Sequence, residues 1–374
     1  MKRLFVIILS ACLLLTSLTA CGTKEKTKPE DTAPIETNED QQAGTPAEQQ
    51  KAVTPTEDNP AEETPSEIEP VSETTTSYPV VIENFEQSTE YTQAPEKVVA
   101  LTLNSAEMLA ALGVSDVLVG MAQNNNAVED VLPEYYPMLK EIPLPEEINA
   151  GIPTLEGLLG LTPELVVANS YYFKIPFFGT MEDYANNNVK FYVTEGSYIP
   201  DVTIENTYND IRNLGTIFAK EQEAEKLIAG MQNRITEVGK KVKELTPVKV
   251  MLFDSINEGN FCVAGGSGLA QNLVELAGGQ NIFQDSEAQF PVVGIEEVIA
   301  RDPDVIVVHN YSRDPQDAQS KIDFLKNSKD LENVSAVKND RIIVITLFAV
   351  NPGLQNVDAV EQMAKALHPD AFSE

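Results

Sequence analysis

Few residues in this sequence have the types and the spacing that catalysis or metal binding requires. The two histidines, His309 and His368, lie far apart in the chain, whereas a zinc or manganese site needs several ligands at one point. The glycine-rich stretch Gly265–Gly268 lacks the third glycine of a dinucleotide-binding turn. We also find no nucleophile elbow, zinc-binding helix or phosphate-binding loop. We therefore expect no catalytic residues, no metal site and no cofactor.

The residue with the clearest chemistry is Cys21. A basic start is followed by an apolar run from Leu4 to Leu15 and then by Leu18-Thr19-Ala20-Cys21. The run is shorter than the roughly 20 residues that span a bilayer, which is typical of an export signal. The last four residues resemble a lipobox, whose cysteine takes a lipid; an ordinary signal with a chance cysteine is the alternative. We expect a signal peptide over 1–20, lipidation at Cys21 and a place on the extracytoplasmic face of the cell membrane.

The segment after this cysteine, residues 21–77, is rich in Thr, Glu, Pro, Gln and Ala. Such a composition cannot bury enough apolar surface to offset its chain entropy, so we expect a disordered acidic linker. The whole chain has a net charge of −32, which argues against nucleic acid and anionic lipid as partners.

Short apolar runs alternate with helix-forming stretches in the rest of the chain. This alternation predicts an α/β fold with mainly parallel sheets. The predicted strands are Val98–Leu103, Val117–Val119, Leu165–Ala168, Lys190–Val193, Lys249–Phe253, Val305–Val308 and Ile342–Ile345.

An internal repeat links two of these strands. The segments 155–168 and 295–308 align without gaps, so that Glu156 corresponds to Glu296 and Pro163 to Pro303. Each copy is predicted to be a short helix, a turn with proline and an acid, and a buried strand.

A long proline-free stretch lies between the two copies of the repeat. Residues 223–245 carry interspersed charges and predict one helix. We expect a linking helix over 220–246 between an N-terminal lobe, 78–219, and a C-terminal lobe, 247–374. The alternative is an ordinary surface helix within one lobe.

Several segments in this order resemble a known family. They are Ala94–Gly113, the two repeat copies, Gly266–Phe283 and Ala336–Ile345. Together they resemble substrate-binding proteins of ABC importers for iron–siderophore complexes, cobalamin and haem, over about residues 79–370. The resemblance implies two Rossmann-like lobes joined by one long rigid helix, a ligand held between them, no catalysis and a monomer.

The resemblance also implies a permease dimer as partner. In the family's vitamin B12 member one glutamate per lobe docks on the permease, and the matching motifs contain Glu156 and Glu296. The alternative is a purely structural role. An acid in the first turn of a helix stabilises that helix by about 0.3–1 kcal/mol through the helix dipole and needs no partner.

Ligands of α/β lobes gather at the carboxyl ends of parallel strands. The residues that follow the predicted strands are therefore candidate ligand contacts, and aromatic faces among them suit a corrin, porphyrin or catechol. Arg313 could pair with an anionic chelate. The candidates are Asn104, Ser105, Asn124, Tyr171, Tyr172, Phe173, Asp254, Asn257, His309, Tyr311, Arg313 and Phe348.

Three function classes stay open at this point. The leading one is a lipoprotein that captures a metal chelate, most simply a ferric siderophore, with a corrinoid or haem as alternatives. His309 or a tyrosine could then be an axial haem ligand. The others are an extracytoplasmic α/β enzyme that uses the cleft between the lobes, and a surface interaction lipoprotein with a long tether.

Overall fold

The computed structural model describes residues 77–311 and 315–373 of the chain. The predicted signal peptide, Cys21 and the linker lie outside the described residues, as does Arg313. Within the described part, no helix is both long and apolar enough to cross a membrane.

The strands form two main sheets and one separate hairpin. The fold class predicted from sequence, α/β with mainly parallel sheets, is confirmed. The strands are β1 (Val80–Asn84), β2 (Gln87–Tyr91), β3 (Val98–Ala100), β4 (Leu118–Met121), β5 (Leu165–Ala168), β6 (Lys190–Val193), β7 (Val248–Asn257), β8 (Asn260–Val263), β9 (Gly279–Asn281), β10 (Val292–Val293), β11 (Val305–Asn310) and β12 (Ile342–Thr346).

Helices separate most of the strands. They are α1 (Leu103–Ala111), α2 (Tyr136–Leu139), α3 (Glu146–Asn149), α4 (Leu155–Gly160), α5 (Met181–Ala185), α6 (Ile204–Ile217), α7 (Glu221–Val242), α8 (Leu269–Leu276), α9 (Ile295–Arg301), α10 (Pro315–Asn327), α11 (Ser335–Lys338), α12 (Leu347–Val350), α13 (Asn356–Leu367) and α14 (Pro369–Phe372).

The first sheet is parallel throughout, in the order β4-β3-β5-β6. Its strands are apolar on both faces because helices cover both sides, as in other parallel sheets. Val98 and Val167 belong to one core cluster, and Val99 and Val166 to another on the opposite face.

The second sheet is mixed, in the order β10-β8-β7-β11-β12, with β9 beside β7. The pairs β7–β11, β11–β12 and β7–β9 are parallel. The pairs β7–β8 and β8–β10 are antiparallel. β7 extends beyond its predicted end because it continues into a hairpin with β8, whose turn residues Glu258 and Gly259 have positive φ angles of 49° and 82°.

The internal repeat is visible in the backbone. In both copies a left-handed residue ends the helix, Thr162 (φ 49°) after α4 and Asp302 (φ 46°) after α9. The amides of Glu164 and Asp304 then donate to Lys97 O and Lys249 O, each over 2.8 Å. Each helix therefore returns antiparallel to its strand, so its first turn lies toward the carboxyl edge of the sheet.

Helix α7 stands between the two sheets in the chain, since β3–β6 precede it and β7–β12 follow it. We call the elements before it the N-terminal lobe and those after it the C-terminal lobe. It has 22 residues, about 33 Å at 1.5 Å per residue. It begins one residue after the predicted start at 220 and ends before 246.

One apolar cluster spans both lobes. It contains Val98 and Leu165 of the first sheet, Val250 and Val305 of the second, and the buried face of α7. Polar contacts also cross the boundary. Asn104 Nδ2 donates to Phe348 O over 2.9 Å, and Thr207 Oγ1 to Asn356 Oδ1 over 3.0 Å. The two lobes therefore share a packed joint, which resists continuous deformation.

Candidate functional site

A cleft of about 850 Å³ opens between the two lobes. The N-terminal lobe contributes the tip of the β1–β2 hairpin and the loops after β5 and β6. The C-terminal lobe contributes the start of α8 and the loop after β9. The loops after β5, β6 and β9 leave the carboxyl ends of parallel strands, which is where α/β folds hold ligands. The volume is that of a small-molecule site.

An aromatic wall, formed by Phe85, Phe173 and Tyr198, lines the N-terminal side of the cleft. The ring centroid of Phe85 lies 5.4 Å from that of Phe173 and 5.0 Å from that of Tyr198. These spacings are favourable for aromatic pairs. The ring planes of Phe85 and Phe173 are 32° apart, whereas Tyr198 meets Phe85 edge-on at 74°. The wall therefore offers apolar ring surface on which part of a ligand could stack.

The aromatic wall is held by hydrogen bonds of the hairpin tip. Phe85 has a left-handed backbone (φ 48°), and its amide donates to the Tyr198 hydroxyl over 3.0 Å. Asn84 exchanges two hydrogen bonds with the backbone of Val193 at the end of β6, over 2.7 and 2.8 Å. These contacts fix the hairpin against the first sheet before any ligand arrives.

Polar residues line the opposite side. The amide of Gly266 donates to Ser286 O over 2.9 Å, and Ser267 Oγ donates to Glu287 O over 3.2 Å. A Cβ atom on Gly266 would lie only 2.2 Å from Gln284 O. The glycines that partly matched a dinucleotide-binding turn therefore allow the loop after β9 to pack closely against the start of α8.

Four charged residues line the cleft: Lys174, Asp201, Asp285 and Glu287. Arg301 pairs with Asp285 through two hydrogen bonds, of 2.7 and 3.1 Å. Hydrogen bonding to Arg301 holds the pKa of the Asp285 carboxyl below its ordinary value.

Of the ligand contacts predicted from sequence that the structure describes, only Phe173 lines this cleft. Tyr171 is exposed beside it, whereas Tyr172 is buried, with its hydroxyl donating to Leu101 O over 2.9 Å. Asn124 is exposed, and its Nδ2 also donates to Leu101 O, over 3.1 Å.

Four other candidates lie away from the cleft, inside the joint or at a strand end. Asn104 and Phe348 are buried and bonded to each other across the lobes, and Ser105 is buried in the first turn of α1. Asn257 ends β7 at its hairpin with β8. Burial and contacts within the protein account for the positions of Asn104, Ser105 and Phe348 without a ligand.

The buried residues Asp254 and His309 form a cluster with the half-buried Tyr311 in the C-terminal lobe. The Tyr311 hydroxyl donates to Asp254 Oδ2, and His309 Nδ1 lies 3.5 Å from Oδ1. Burial raises the pKa of the Asp254 carboxyl, but His309 and Tyr311 outweigh it and hold this pKa below its ordinary value. His309 is only 1% exposed, so its ring does not reach the cleft.

Glu156 and Glu296 are both exposed in the first turns of α4 and α9. Because the repeat places both helix starts toward the carboxyl edges of their sheets, each lobe presents one exposed acid on that side. Exposed apolar side chains precede each acid, Ile152 in the first copy and Val292 in the second.

Sequence reasoning missed two of the three aromatic residues of the wall. Tyr198 follows β6, a strand that was predicted correctly, so the same strand-end rule applied there would have found it. Phe85 and Glu86 are the two central residues of the hairpin turn and both have positive φ angles. Such positions normally carry glycine, asparagine or aspartate, so Phe-Glu gives no turn signal there.

Comparison with known proteins gives consistent matches. Residues 98–347 match the family described as periplasmic binding protein. A vitamin B12-binding protein of Vibrio parahaemolyticus is 26% identical over 247 residues, which cover 63% of this chain and 80% of the relative. An uncharacterised ABC transporter substrate-binding lipoprotein of Bacillus subtilis is 21% identical over 320 residues, or 84% and 93% of the two chains.

A solved structure shares the fold. A periplasmic binding protein of Veillonella parvula superposes with a TM-score of 0.70 at 22% identity, over 79% of this chain and 99% of that one.

Proposed function

Since the chain belongs to the periplasmic binding protein family, we propose that it captures a metal chelate outside the cytoplasm and delivers it to an ABC importer. The observation that carries the proposal is the interlobe cleft at the carboxyl edges, with a preformed aromatic wall. A ferric siderophore, a corrinoid and haem all present a face that such a wall can stack on. The Vibrio relative's name, vitamin B12-binding protein, supports the corrinoid.

Ligand capture can be tested by thermal unfolding of the purified chain without its signal segment. The panel contains a ferric siderophore, cobalamin and haem, with metal-free siderophore as the control. At a hundredfold excess over the dissociation constant, a ligand adds about 2.7 kcal/mol to the free energy of unfolding. A rise in melting temperature with one chelate is expected, and no rise with any of them would refute the proposal.

Glu156 and Glu296 dock the loaded protein on a two-fold permease. Their equivalent positions in the repeat support this role, since a symmetric dimer offers two equivalent basic pockets. Their burial against arginines would form charge-assisted hydrogen bonds. The double variant Glu156→Ala, Glu296→Ala should bind ligand normally, as measured by calorimetry, and lose ligand uptake in cells.

A matched control keeps the number of removed charges constant. Glu96 and Asp370 are exposed acids at the amino ends of the parallel strands. Glu96 lies just before β3, and Asp370 lies beside Arg341, which precedes β12. The double variant Glu96→Ala, Asp370→Ala should retain uptake. Equal uptake by both double variants would contradict the docking role.

Cys21 anchors the protein to the membrane through lipid, and residues 22–77 tether the lobes to that anchor. The sequence pattern before the cysteine supports this, as does the lipoprotein name of the Bacillus subtilis relative. Cys21→Ser should move the protein from the membrane fraction to the soluble fraction and abolish labelling by radioactive palmitate. Unchanged labelling would refute lipidation at this residue.

The protein acts as a monomer and catalyses no reaction.

A further inference from the structure

The charged residues of the cleft are mainly acidic. Among the described lining residues Lys174 is the single cation, against Asp201, Asp285 and Glu287. Arg301 offsets Asp285 through its two hydrogen bonds, so two carboxylates remain against one amine. No described arginine lines the cleft.

This balance opposes a polyanionic ligand. A triscatecholate iron complex or a porphyrin with two carboxylates gains most from arginine, which binds carboxylates and phosphates through paired hydrogen bonds. Here such a ligand would instead face Asp201 on one lobe and Glu287 on the other, both exposed at the cleft. The strongly acidic chain adds repulsion at longer range.

The uncharged polar residues of the cleft favour a different ligand chemistry. Gln284 and Gln289 carry side-chain amides, and Ser286 a hydroxyl, on the wall opposite the aromatic residues. Amides and hydroxyls both donate and accept hydrogen bonds, so they match neutral amide or hydroxamate groups. An apolar face for stacking and an uncharged polar rim therefore occur on opposite sides of one cleft.

We propose that the cleft selects neutral or cationic chelates whose periphery carries amide or hydroxamate groups, and excludes polyanionic chelates. This inference rests on the proposed function, because it names the ligand class of the same site. Corrinoids and ferric trihydroxamates share this chemistry, and the test distinguishes them.

The test compares chelates of different charge by calorimetry on the whole processed chain. Cyanocobalamin and ferrichrome are neutral, ferrioxamine B is cationic, and ferric enterobactin and haem are anionic. We expect a neutral or cationic chelate to bind at least tenfold more tightly than both anionic ones. Cyanocobalamin binding would identify a corrinoid site, and ferrichrome or ferrioxamine binding a hydroxamate site.

Tighter binding of ferric enterobactin or haem would overturn the inference and leave the proposed function standing. Binding of no chelate would refute both. The two failures are therefore distinguishable.

Charge reversal in the cleft gives an independent readout. The double variant Asp201→Lys, Glu287→Lys should improve ferric enterobactin binding by roughly tenfold or more, because the energy scales with the product of the charges. Glu182→Lys is the control, since Glu182 is exposed on α5 in the N-terminal lobe and does not line the cleft. No gain in the double variant relative to this control would overturn the inference.

Discussion

Glu107 is a buried acid in the joint between the lobes. Its side chain is 0% exposed, and its Oε1 accepts hydrogen bonds from the amide of Leu132 in the N-terminal lobe and from Gln355 Nε2 in the C-terminal lobe. Burial raises its pKa to about 7, helped by the nearby charges of Asp358 and Glu134. Below about pH 7 the folded protein therefore holds a proton at this site.

This shift predicts a stability that falls with rising pH. The folded-state pKa of about 7 lies above the ordinary value of 4.5, so between these values the folded chain keeps a proton that the unfolded chain has lost. The resulting stabilisation is fully present below pH 4.5 and is lost as the pH rises through about 7.

Glu107→Gln should remove this dependence, because a glutamine keeps the shape of the neutral acid. At pH 8 the variant should be more stable than the parent by roughly 2–3 kcal/mol, and at pH 4 nearly equal to it. Urea unfolding at both pH values measures the difference. A constant difference across this range would contradict the assignment.

For single residues, the sequence predicts which strand a residue lies near better than it predicts what its side chain contacts. The strand-end rule found Phe173, but it placed Asp254 and His309 just after their strands, whereas Asp254 lies within β7 and His309 within β11. It could not foresee that these two side chains turn inward to face each other. Which face a strand-end side chain takes depends on the packing of helices that come from distant parts of the sequence.

At the scale of elements, prediction was most accurate where the local pattern was strongest. The strands β5 and β6 begin and end at the predicted residues, because each is centred on a short buried apolar run, Leu165–Ala168 in β5 and Phe191–Val193 in β6. β3 ends earlier than predicted, at Ala100, because Thr102 caps α1 by accepting a hydrogen bond from Ser105 N over 3.1 Å. The β1–β2 hairpin was missed because its second strand, QSTEY, is almost entirely polar.

The packing of the loop after β9 on the start of α8 predicts a sensitive glycine. Gly266→Ala should push this loop away from its place because of the close carbonyl of Gln284. We expect a loss of about 1–3 kcal/mol in stability and at least tenfold weaker ligand binding, measured by thermal unfolding and calorimetry.

Gly239→Ala provides the matched control on a different element. This glycine lies in α7, and a Cβ atom there would meet nothing within 4 Å. The substitution should stabilise the protein by about 0.5–1 kcal/mol, since alanine favours helices, and leave binding unchanged. Similar ligand binding in the two variants would show that the loop position does not matter for the cleft.

At the scale of the whole molecule, the shared core should make the two lobes unfold together. The apolar cluster that contains Val98 and Val250 couples them, so neither sheet can lose its packing alone. Amide hydrogen exchange in increasing denaturant should show protection in β5 and β11 falling at the same concentration. Loss of one before the other would indicate separable lobes.

The packed joint between the lobes also affects how the importer distinguishes ligand-loaded protein from ligand-free protein. If the lobes keep nearly one relative position, empty and loaded molecules present nearly the same surface to the transporter. Empty molecules then compete with loaded ones for the same binding site on the transporter. Only the presence of the ligand distinguishes a binding event that leads to import from one that does not. Making more of this protein than its ligand can fill should therefore slow import rather than speed it.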